Sequence, residues 1–182
     1  LRHNCEKSNL KLMKKNLILL GMMGVGKSTI AKMLAKKLKF KLLDTDKLIE
    51  KKNKMKIMEI FSLKGEKFFR DQEELIIIEA IKNNPNNSIF ALGGGAFLNK
   101  KIRSNVLTNG ISFWLDNNLN ALFLRLKKSY KRPLFKENEK KTLEKTYRDR
   151  KSVYKLANYK INCNNLKLGD ICNKILNHYE KT

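Results

Sequence analysis

The chain has 182 residues, 42% of them hydrophobic, which suits one domain with a sizeable core and argues against a second domain. Lys and Arg number 40 against 17 Asp and Glu, and the resulting formal charge of +23 favours polyanionic ligands such as nucleotides and nucleic acids. The apolar runs are far shorter than the roughly 18 residues of a membrane span, and no secretory segment follows the basic stretch at the start of the sequence, so we expect neither a membrane-spanning helix nor a secretory signal.

The positive charge is spread along the chain, and no nucleic-acid-binding motif accompanies it. We therefore interpret it as a lysine-rich background on solvated faces, in preference to a dedicated nucleic-acid surface. Cys5, Cys163 and Cys172 are odd in number and lack C-x-x-C spacing, which indicates neither a disulfide framework nor a zinc site. We expect a soluble, cytoplasmic monomer with no membrane partner and no specific nucleic-acid partner.

A glycine-rich loop follows the first predicted strand. Residues 1–15 are polar and basic and are expected to form a flexible extension, whereas the apolar run over 16–20 predicts a buried strand. Residues 21–29 read GMMGVGKST, which fits the phosphate-loop pattern G-x-x-x-x-G-K-[ST]. A helix with one apolar stripe is predicted over 27–38. This order of strand, loop and helix predicts a nucleotide site.

The loop contains the groups that a nucleoside triphosphate requires. Its glycines let backbone N–H groups turn toward phosphate oxygens, and the next helix adds the positive end of its dipole. Lys27 is predicted to reach the β- and γ-phosphates, and the Ser28 hydroxyl to coordinate Mg²⁺. The expected nucleotide-binding residues of this loop are Gly24, Val25, Gly26, Lys27, Ser28 and Thr29.

Two acidic residues, Asp44 and Asp46, follow a second short strand that begins at about residue 40. Because side chains two apart on an extended segment point the same way, both are expected to face the carboxyl edge of the sheet. Ligands of open α/β sheets bind at that edge. Two plainer interpretations stay open: Asp46 as the N-cap of the next helix, and Asp44 as an ordinary loop acid.

Arg70 lies near the start of a long helix predicted over 68–82, in which residues 75–78 are expected to be mostly buried. Shorter helical segments are predicted before it, over 47–52 and 57–63, the second closed by Gly65. The helix dipole disfavours a cation at a helix start, so the position of Arg70 indicates a bound anion nearby. A surface arginine remains the alternative.

Three consecutive glycines, residues 93–95, follow another predicted strand over 88–92. They would let a ligand lie directly against the backbone and would expose N–H donors. A plain flexible turn is the alternative, but the neighbouring phosphate loop favours a binding site.

The remaining chain is predicted to complete the sheet and to cover the site. The predicted elements are a helix over 99–109, a strand over 111–115, a helix over 117–127, a helix over 142–156, a strand over 159–162 and a helix over 168–179. Alternating strands and helices predict a single-domain α/β fold, with a parallel sheet of about five strands and helices on both faces. The highly charged segment 127–141, which contains Arg132, is expected to be a mobile lid that closes over the phosphates.

Two acids, two arginines and a triple glycine beside a phosphate loop suit a small hydroxylated carboxylate as phosphate acceptor. The arginines, Arg70 and Arg150, would clamp its carboxylate, and Asp46 would hold or deprotonate its hydroxyl. In this respect the chain resembles the shikimate kinases, with motifs in the family's order over residues 16–179. The matching stretches are GMMGVGKST at 21–29, DTD at 44–46, GEKFFR at 65–70, ALGGG at 91–95, KRPLF at 131–135, and Arg150 four residues before Tyr154.

The resemblance implies a kinase domain over residues 16–182 that phosphorylates the 3-hydroxyl of shikimate with ATP and Mg²⁺, a step of chorismate and aromatic amino-acid biosynthesis. By position, Asp46, Arg70, Gly94 and Arg150 would bind shikimate, with Gly93 and Gly95 in the same backbone patch. Asp46 would be the base.

The resemblance also assigns roles on the nucleotide side. Asp44 resembles the acid that holds Mg²⁺ through water beside Ser28. Arg132 resembles the lid arginine on the ATP phosphates and would act with Lys27 and Asp46 in catalysis, whereas Arg125 resembles the residue that lies against adenine. Glu73 would orient Arg70 by an ion pair. Leu92 departs from the family, which usually has a small hydroxyl residue before the glycines.

Three other functions are weighed against this one. Another phosphate-loop kinase, such as a gluconate or nucleoside monophosphate kinase, is disfavoured because it would not require Arg70, the triple glycine and Arg150 together. An ATP-binding regulatory module without turnover is disfavoured because it would not require the intact set of Lys27, Ser28, Asp46 and Arg132. A nucleic-acid-binding protein is suggested by the net charge alone, and its affinity would fall steeply with salt.

Overall fold

The segment β1 (Asn16–Leu20), one asparagine followed by four apolar residues, forms the middle strand of the sheet, and all five of its residues are buried. A strand covered on both faces requires such an uninterrupted run. The computed structural model describes residues 14–128 and 138–182. Its other strands are β2 (Lys41–Asp44), β3 (Ser88–Ala91), β4 (Gly110–Asp116) and β5 (Tyr159–Asn162). These five strands pair in parallel, in the order β2-β3-β1-β4-β5.

Helices cover both faces of this sheet, as predicted. The described helices are α1 (Lys27–Leu38), α2 (Thr45–Asn53), α3 (Ile57–Asn83), α4 (Lys100–Asn109), α5 (Leu119–Lys128), α6 (Asn138–Tyr154) and α7 (Leu168–Tyr179). Right-handed crossovers explain the two layers: α1 packs with α7 on one face, and α3 packs with α4 on the other. The predicted α/β class, the parallel sheet and its five strands are therefore confirmed.

The strand order brings the phosphate loop beside the triple glycine. From β1 the chain crosses toward the edge of the sheet formed by β2, whereas from β3 it crosses toward the opposite edge, where β4 and β5 lie. In open α/β sheets, such a reversal opens a crevice at the carboxyl ends of the two strands. The N–H of Leu92, which follows β3, donates to the Leu19 carbonyl at 3.0 Å and ties the two strand ends together.

The helices differ from the prediction in several details, among them the start of α6 at Asn138, four residues earlier than predicted. α2 begins at Thr45, two residues earlier than predicted. α3 contains both predicted helical segments, joined at a break where Gly65 has φ 81°. Leu75 is 56% exposed, because four consecutive apolar residues extend around the whole circumference of a helix and one of them must face outward.

The predicted extension and lid fall mostly outside the described residues. Lys14 exchanges two hydrogen bonds with Asn87, so the last residues of the predicted extension belong to the fold, whereas residues 1–13 are not described. Lys127 lies in α5 and Lys141 in α6, so the two ends of the predicted lid are helical, and Arg132 lies outside the described ranges. No described helix has the length and apolarity of a membrane span.

Candidate active site

A cavity of about 410 Å³ lies at the carboxyl edge of the sheet and is lined by residues from both predicted halves of the site. Its nucleotide side is lined by Met23, Gly24, Gly26, Lys27, Ser28, Thr29 and Asp44. Its opposite side is lined by Asp46, Phe61, Phe69, Arg70, Glu73, residues 91–95 and Arg150. The fold thus brings together residues that are more than 120 positions apart in the sequence.

The phosphate loop has the expected backbone conformation. Gly24 and Gly26 have φ of 78° and 99°, in the left-handed region where a side chain would be strained. Gly26 is also the N-cap of α1, so the first N–H groups of that helix face the cavity. The Lys27 ammonium lies across the loop, because Nζ donates to the carbonyls of Gly21 at 2.8 Å and Met22 at 3.0 Å.

Val25 differs from its neighbours in the loop. Its side chain is 1% exposed and packs in the hydrophobic core, and it does not line the cavity. The side chain therefore anchors the loop, and only the backbone of Val25 is available to a phosphate.

Asp44, and not Asp46, is the N-cap of α2. One carboxylate oxygen of Asp44 accepts from the Lys47 N–H at 3.4 Å, and the other accepts from the Ser28 hydroxyl at 2.7 Å. The alternative that Asp46 caps the helix is therefore wrong, as is the extended geometry assumed for the pair, because β2 ends at Asp44. Asp46 lies in the first helical turn instead, and that turn still directs its carboxylate into the cavity.

Arg70 is held between two carboxylates of its own helix. Its Nη1 donates to Glu73 Oε2 at 2.6 Å, and its Nε and Nη2 donate to Glu66 Oε1 at 3.3 and 3.2 Å. Burial opposes the charge, but the bonds to Glu73 and Glu66 outweigh it and raise the pKa of Arg70 above its ordinary value. A guanidinium has more donors than these bonds occupy, so a fixed cation with spare donors faces the cavity.

Glu73 is the buried counter-charge of the site, with only 2% of the residue exposed. Burial raises its pKa, and the charge of Asp46 adds to this, whereas Arg70 and Arg150 act in the opposite direction. These four side chains therefore interact electrostatically. The predicted ion pair between Glu73 and Arg70 is present.

The triple glycine lies directly against these charged groups. A β-carbon on Gly93 would lie 2.7 Å from Asp46 Oδ1 and 3.0 Å from Glu73 Oε1. A β-carbon on Gly95 would lie 2.8 Å from Arg70 Nη1, and one on Gly94 would lie 3.4 Å from Arg150 Nη1. Contacts under 3.0 Å require a shift of atoms, so the absence of side chains at Gly93 and Gly95 is what permits this packing.

Gly95→Ala should therefore displace the Arg70 guanidinium. Because Glu66 and Glu73 hold that group, it cannot move without weakening its ion pairs, and we expect the acceptor KM to rise roughly tenfold or more. Steady-state kinetics at varied acceptor concentration would check this. Gly169→Ala is the control, since a β-carbon there meets nothing within 4 Å. An unchanged acceptor KM in Gly95→Ala would contradict the expectation.

The two predicted nucleotide-side arginines differ in what the structure describes, and Arg125 is not among the described residues that line the cavity. Arg132 lies outside the described residues. Arg125 lies on α5 and is exposed. The residue after it, Leu126, packs against the phosphate loop, since a β-carbon placed on Gly24 would lie 3.0 Å from the Leu126 side chain. The helix that bears Arg125 therefore packs beside the nucleotide side, and the contact of Arg125 with adenine stays a prediction.

Several residues of the site were not found by sequence reasoning. Phe61 and Phe69 line the cavity from the two sides of the α3 break, and their rings lie 4.6 Å apart. Thr45 is fully buried and bonds to the strand end that precedes the glycines. The position of Thr45 between two acidic residues could have indicated that its hydroxyl belongs to the site. In the sequence, nothing distinguishes Phe61 and Phe69 from phenylalanines of the core.

The doubly wound parallel sheet, the phosphate loop and the facing acceptor pocket define a phosphate-loop kinase of a small molecule. The family model described as "Shikimate kinase" matches residues 23–180. The chain therefore belongs to the shikimate kinase family.

Individual relatives agree with this assignment over most of their length. A shikimate kinase of Sulfurihydrogenibium sp. (strain YO3AOP1) is 43% identical over 162 residues, which cover 89% of this chain and 96% of the relative. One from Bartonella henselae is 44% identical over 147 residues, or 80% of this chain and 69% of the relative. The solved shikimate kinase of Acinetobacter baumannii in complex with shikimate superposes with a TM-score of 0.86 at 30% identity, covering 92% and 94% of the two chains.

Proposed function

We propose that this chain transfers the γ-phosphate of ATP to the 3-hydroxyl of shikimate, giving shikimate 3-phosphate and ADP, in the pathway to chorismate and the aromatic amino acids. One observation carries the proposal: the phosphate loop and the acceptor residues Asp46, Arg70 and Arg150 line the same cavity. Family membership over residues 23–180 supports the choice of shikimate as acceptor.

The acceptor side suits a hydroxylated carboxylate. Arg70 and Arg150 supply cationic donors for the carboxylate, and planar guanidinium groups bind carboxylates in a defined orientation. Asp46 lies on the same wall and would take the proton of the attacking hydroxyl. The backbone at Gly93 and Gly95 permits close approach, because no side chain stands between the acceptor and the charged groups.

The nucleotide side supplies electrostatic stabilisation. The N–H groups at the start of α1 face the phosphates, and the Lys27 ammonium, already placed over the loop, would neutralise charge on the transferring group. Arg132 would add a second cation when the segment that bears it closes over the nucleotide. Closure of that segment would also exclude water from the transferring phosphoryl group.

Ser28 and Asp44 fit a Mg²⁺ ion that is shared with the nucleotide. Their oxygens lie 2.7 Å apart at the edge of the cavity, and Mg²⁺ prefers such hard oxygen donors. Among the described residues, no cluster of three or more His, Cys, Asp or Glu side chains forms a metal cage. A Mg²⁺ bound through one or two protein oxygens plus phosphates suits that donor set, and it would supply charge neutralisation of the phosphates.

The experiment that tests the proposal is coupled ADP release with ATP and Mg²⁺, comparing shikimate with quinate, gluconate, AMP and no acceptor. We expect strong release with shikimate alone. Release with another acceptor would keep the nucleotide site but overturn the roles of Arg70 and Arg150. Silence with every acceptor would favour the regulatory ATP-binding module.

Arg150→Ala should chiefly weaken acceptor binding. Loss of a charge-assisted hydrogen bond corresponds to a rise of roughly ten- to hundredfold in the shikimate KM, with a small change in the ATP KM. Arg148→Ala is the matched control, because it removes the same charge from an exposed position on the same helix. An Arg150→Ala enzyme with the kinetics of Arg148→Ala would contradict the assignment.

The remaining statements about partners are part of the same proposal. We propose that the enzyme acts as a cytoplasmic monomer without a specific nucleic-acid or membrane partner. Light scattering would test the monomer, and binding to DNA that persists at physiological salt would overturn the absence of a nucleic-acid partner.

A further inference from the structure

Two buried hydroxyl groups hold the first two residues of the triple glycine. The Thr45 Oγ1 donates to the Ala91 carbonyl at 3.2 Å and accepts from the Gly93 N–H at 2.9 Å. The Tyr154 hydroxyl donates to the Gly94 carbonyl. Both Thr45 and Tyr154 are 0% exposed, so water does not compete for these bonds.

The triple glycine needs such contacts to have a defined position. β3 ends at Ala91, and the bond from the Leu92 N–H to the Leu19 carbonyl is the last described backbone bond that ties this strand end to β1. Glycines have no side chains that pack, and their backbone is more flexible than that of other residues. The turn that follows adds a bond from the Ala96 N–H to the Gly93 carbonyl at 3.1 Å, and hydrogen bonds from rigid neighbouring side chains fix the backbone of Gly93 and Gly94 relative to the rest of the site.

The two hydroxyls belong to elements that carry the acceptor residues. Thr45 stands between Asp44 and Asp46, and the backbone of Gly93 that it holds lies against the Asp46 carboxylate. Tyr154 is on α6, four residues after Arg150, and burial raises the pKa of its hydroxyl while the nearby Arg150 acts in the opposite direction.

Tyr154 also reaches the nucleotide side of the site. Its hydroxyl lies 3.9 Å from the sulfur of Met22 in the phosphate loop. Neither Thr45 nor Tyr154 is among the described residues that line the cavity, so each acts through its neighbours.

We propose that Thr45 and Tyr154 are positioning residues, whose hydroxyls hold the triple glycine at the distance that sets Asp46 and Arg150 around the acceptor. This inference rests on the proposed function, because the acceptor is the molecule that the arrangement orients. The hydroxyls, and not the bulk of the two side chains, are responsible.

The test uses variants that remove each hydroxyl and keep the shape of the side chain. Thr45→Val and Tyr154→Phe should each lower kcat/KM for shikimate by roughly tenfold to a hundredfold, since small misplacements in a site reduce rates by about that much. The ATP KM should stay within about twofold in both, because neither change removes a group that binds phosphate, and the 3.9 Å contact of the Tyr154 hydroxyl with the Met22 sulfur is weak. Thr45→Ser keeps the hydroxyl and should recover most of the activity lost in Thr45→Val.

Ser112→Ala is the matched control. Ser112 lies on β4, and this change also removes a fully buried hydroxyl, which donates to the Asn158 side chain at 2.7 Å. Ser112 is not among the described residues that line the cavity. Its loss of stability should resemble that of the test variants, with kinetic constants near those of the wild type. Shikimate kinetics in Thr45→Val and Tyr154→Phe that match Ser112→Ala would overturn the positioning role.

The combined variant gives a second criterion. Because both hydroxyls fix one segment, Thr45→Val with Tyr154→Phe should lose less activity than the product of the two single losses. Simple multiplication of the losses would contradict a shared role. If Thr45→Val does not fold, Tyr154→Phe with its control decides the question.

A readout without turnover separates this inference from the proposed function. Hydrogen exchange of the Gly93 amide, measured by NMR, should become about tenfold faster or more in Thr45→Val than in the wild type. Unchanged exchange would overturn the role of Thr45 even in an active enzyme. A wild-type protein without shikimate-dependent ADP release would overturn the proposed function, and the exchange of Gly93 would still test the contact.

Discussion

Asp46→Asn should lower kcat with shikimate by about 10²- to 10⁴-fold, the contribution of a positioned general base. The amide keeps the size of the side chain but cannot accept the hydroxyl proton. Since Asp46 lies in the first turn of α2, the change leaves the capping bond of Asp44 in place, and the fold should remain intact. Steady-state kinetics at saturating ATP, together with the thermal unfolding midpoint, would check both points.

Asp71→Asn is the control for this change. Its carboxylate is exposed, pairs with Lys67 at 3.0 Å and does not line the cavity, so kcat should stay within about twofold of the wild type. A near-normal kcat in Asp46→Asn would show that Asp46 is not the base. The ATP KM should be the same in both variants, because neither carboxylate belongs to the phosphate loop.

Lys27→Ala should lower kcat by roughly 10²- to 10³-fold, the usual effect of removing one preorganised group that stabilises transition-state charge. The ammonium lies 2.8 Å from the Gly21 carbonyl and is thus preplaced over the loop. Its removal should reduce phosphoryl transfer more than it reduces ADP binding. Kinetics and calorimetric titration with ADP would measure the two effects separately.

Lys36→Ala removes the same charge from an exposed position in the last turn of the same helix. It should leave kcat nearly unchanged, which separates a specific role of Lys27 from a general effect of net charge. Equal losses in the two variants would mean that the positive field of the protein, and not the loop lysine, accounts for the effect.

The local elements were predictable because their signals lie in neighbouring residues. The bounds of β1, α1, β5 and α7 agree with the apolar runs and helical stripes from which they were predicted. The phosphate loop is specified by nine consecutive residues, and its positive-φ glycines follow from that pattern. The sheet with helices on both faces follows from the alternation of strands and helices along the chain.

The prediction was wrong where one local signal competed with another. Asp46 was the N-cap of α2 in the alternative interpretation, with Asp44 as a loop acid, but the bond from the Lys47 N–H shows that Asp44 is the cap. Leu75 belongs to an apolar run that looks buried in sequence, yet the neighbours of α3 cover only part of that helix, and Leu75 is exposed. Such outcomes depend on which face of a helix meets the rest of the molecule.

The sequence by itself determined the phosphate loop, the class of fold and the membership of a kinase family, because each is encoded in short patterns and their order. Only the tertiary structure decided how the site is held together. The Gly93 N–H donates to the Thr45 hydroxyl and the Tyr154 hydroxyl donates to the Gly94 carbonyl, and these bonds join residues 48 and 60 positions apart. Contacts of that kind leave no period or spacing in the sequence, since they arise only after the sheet has brought the strand ends to one edge.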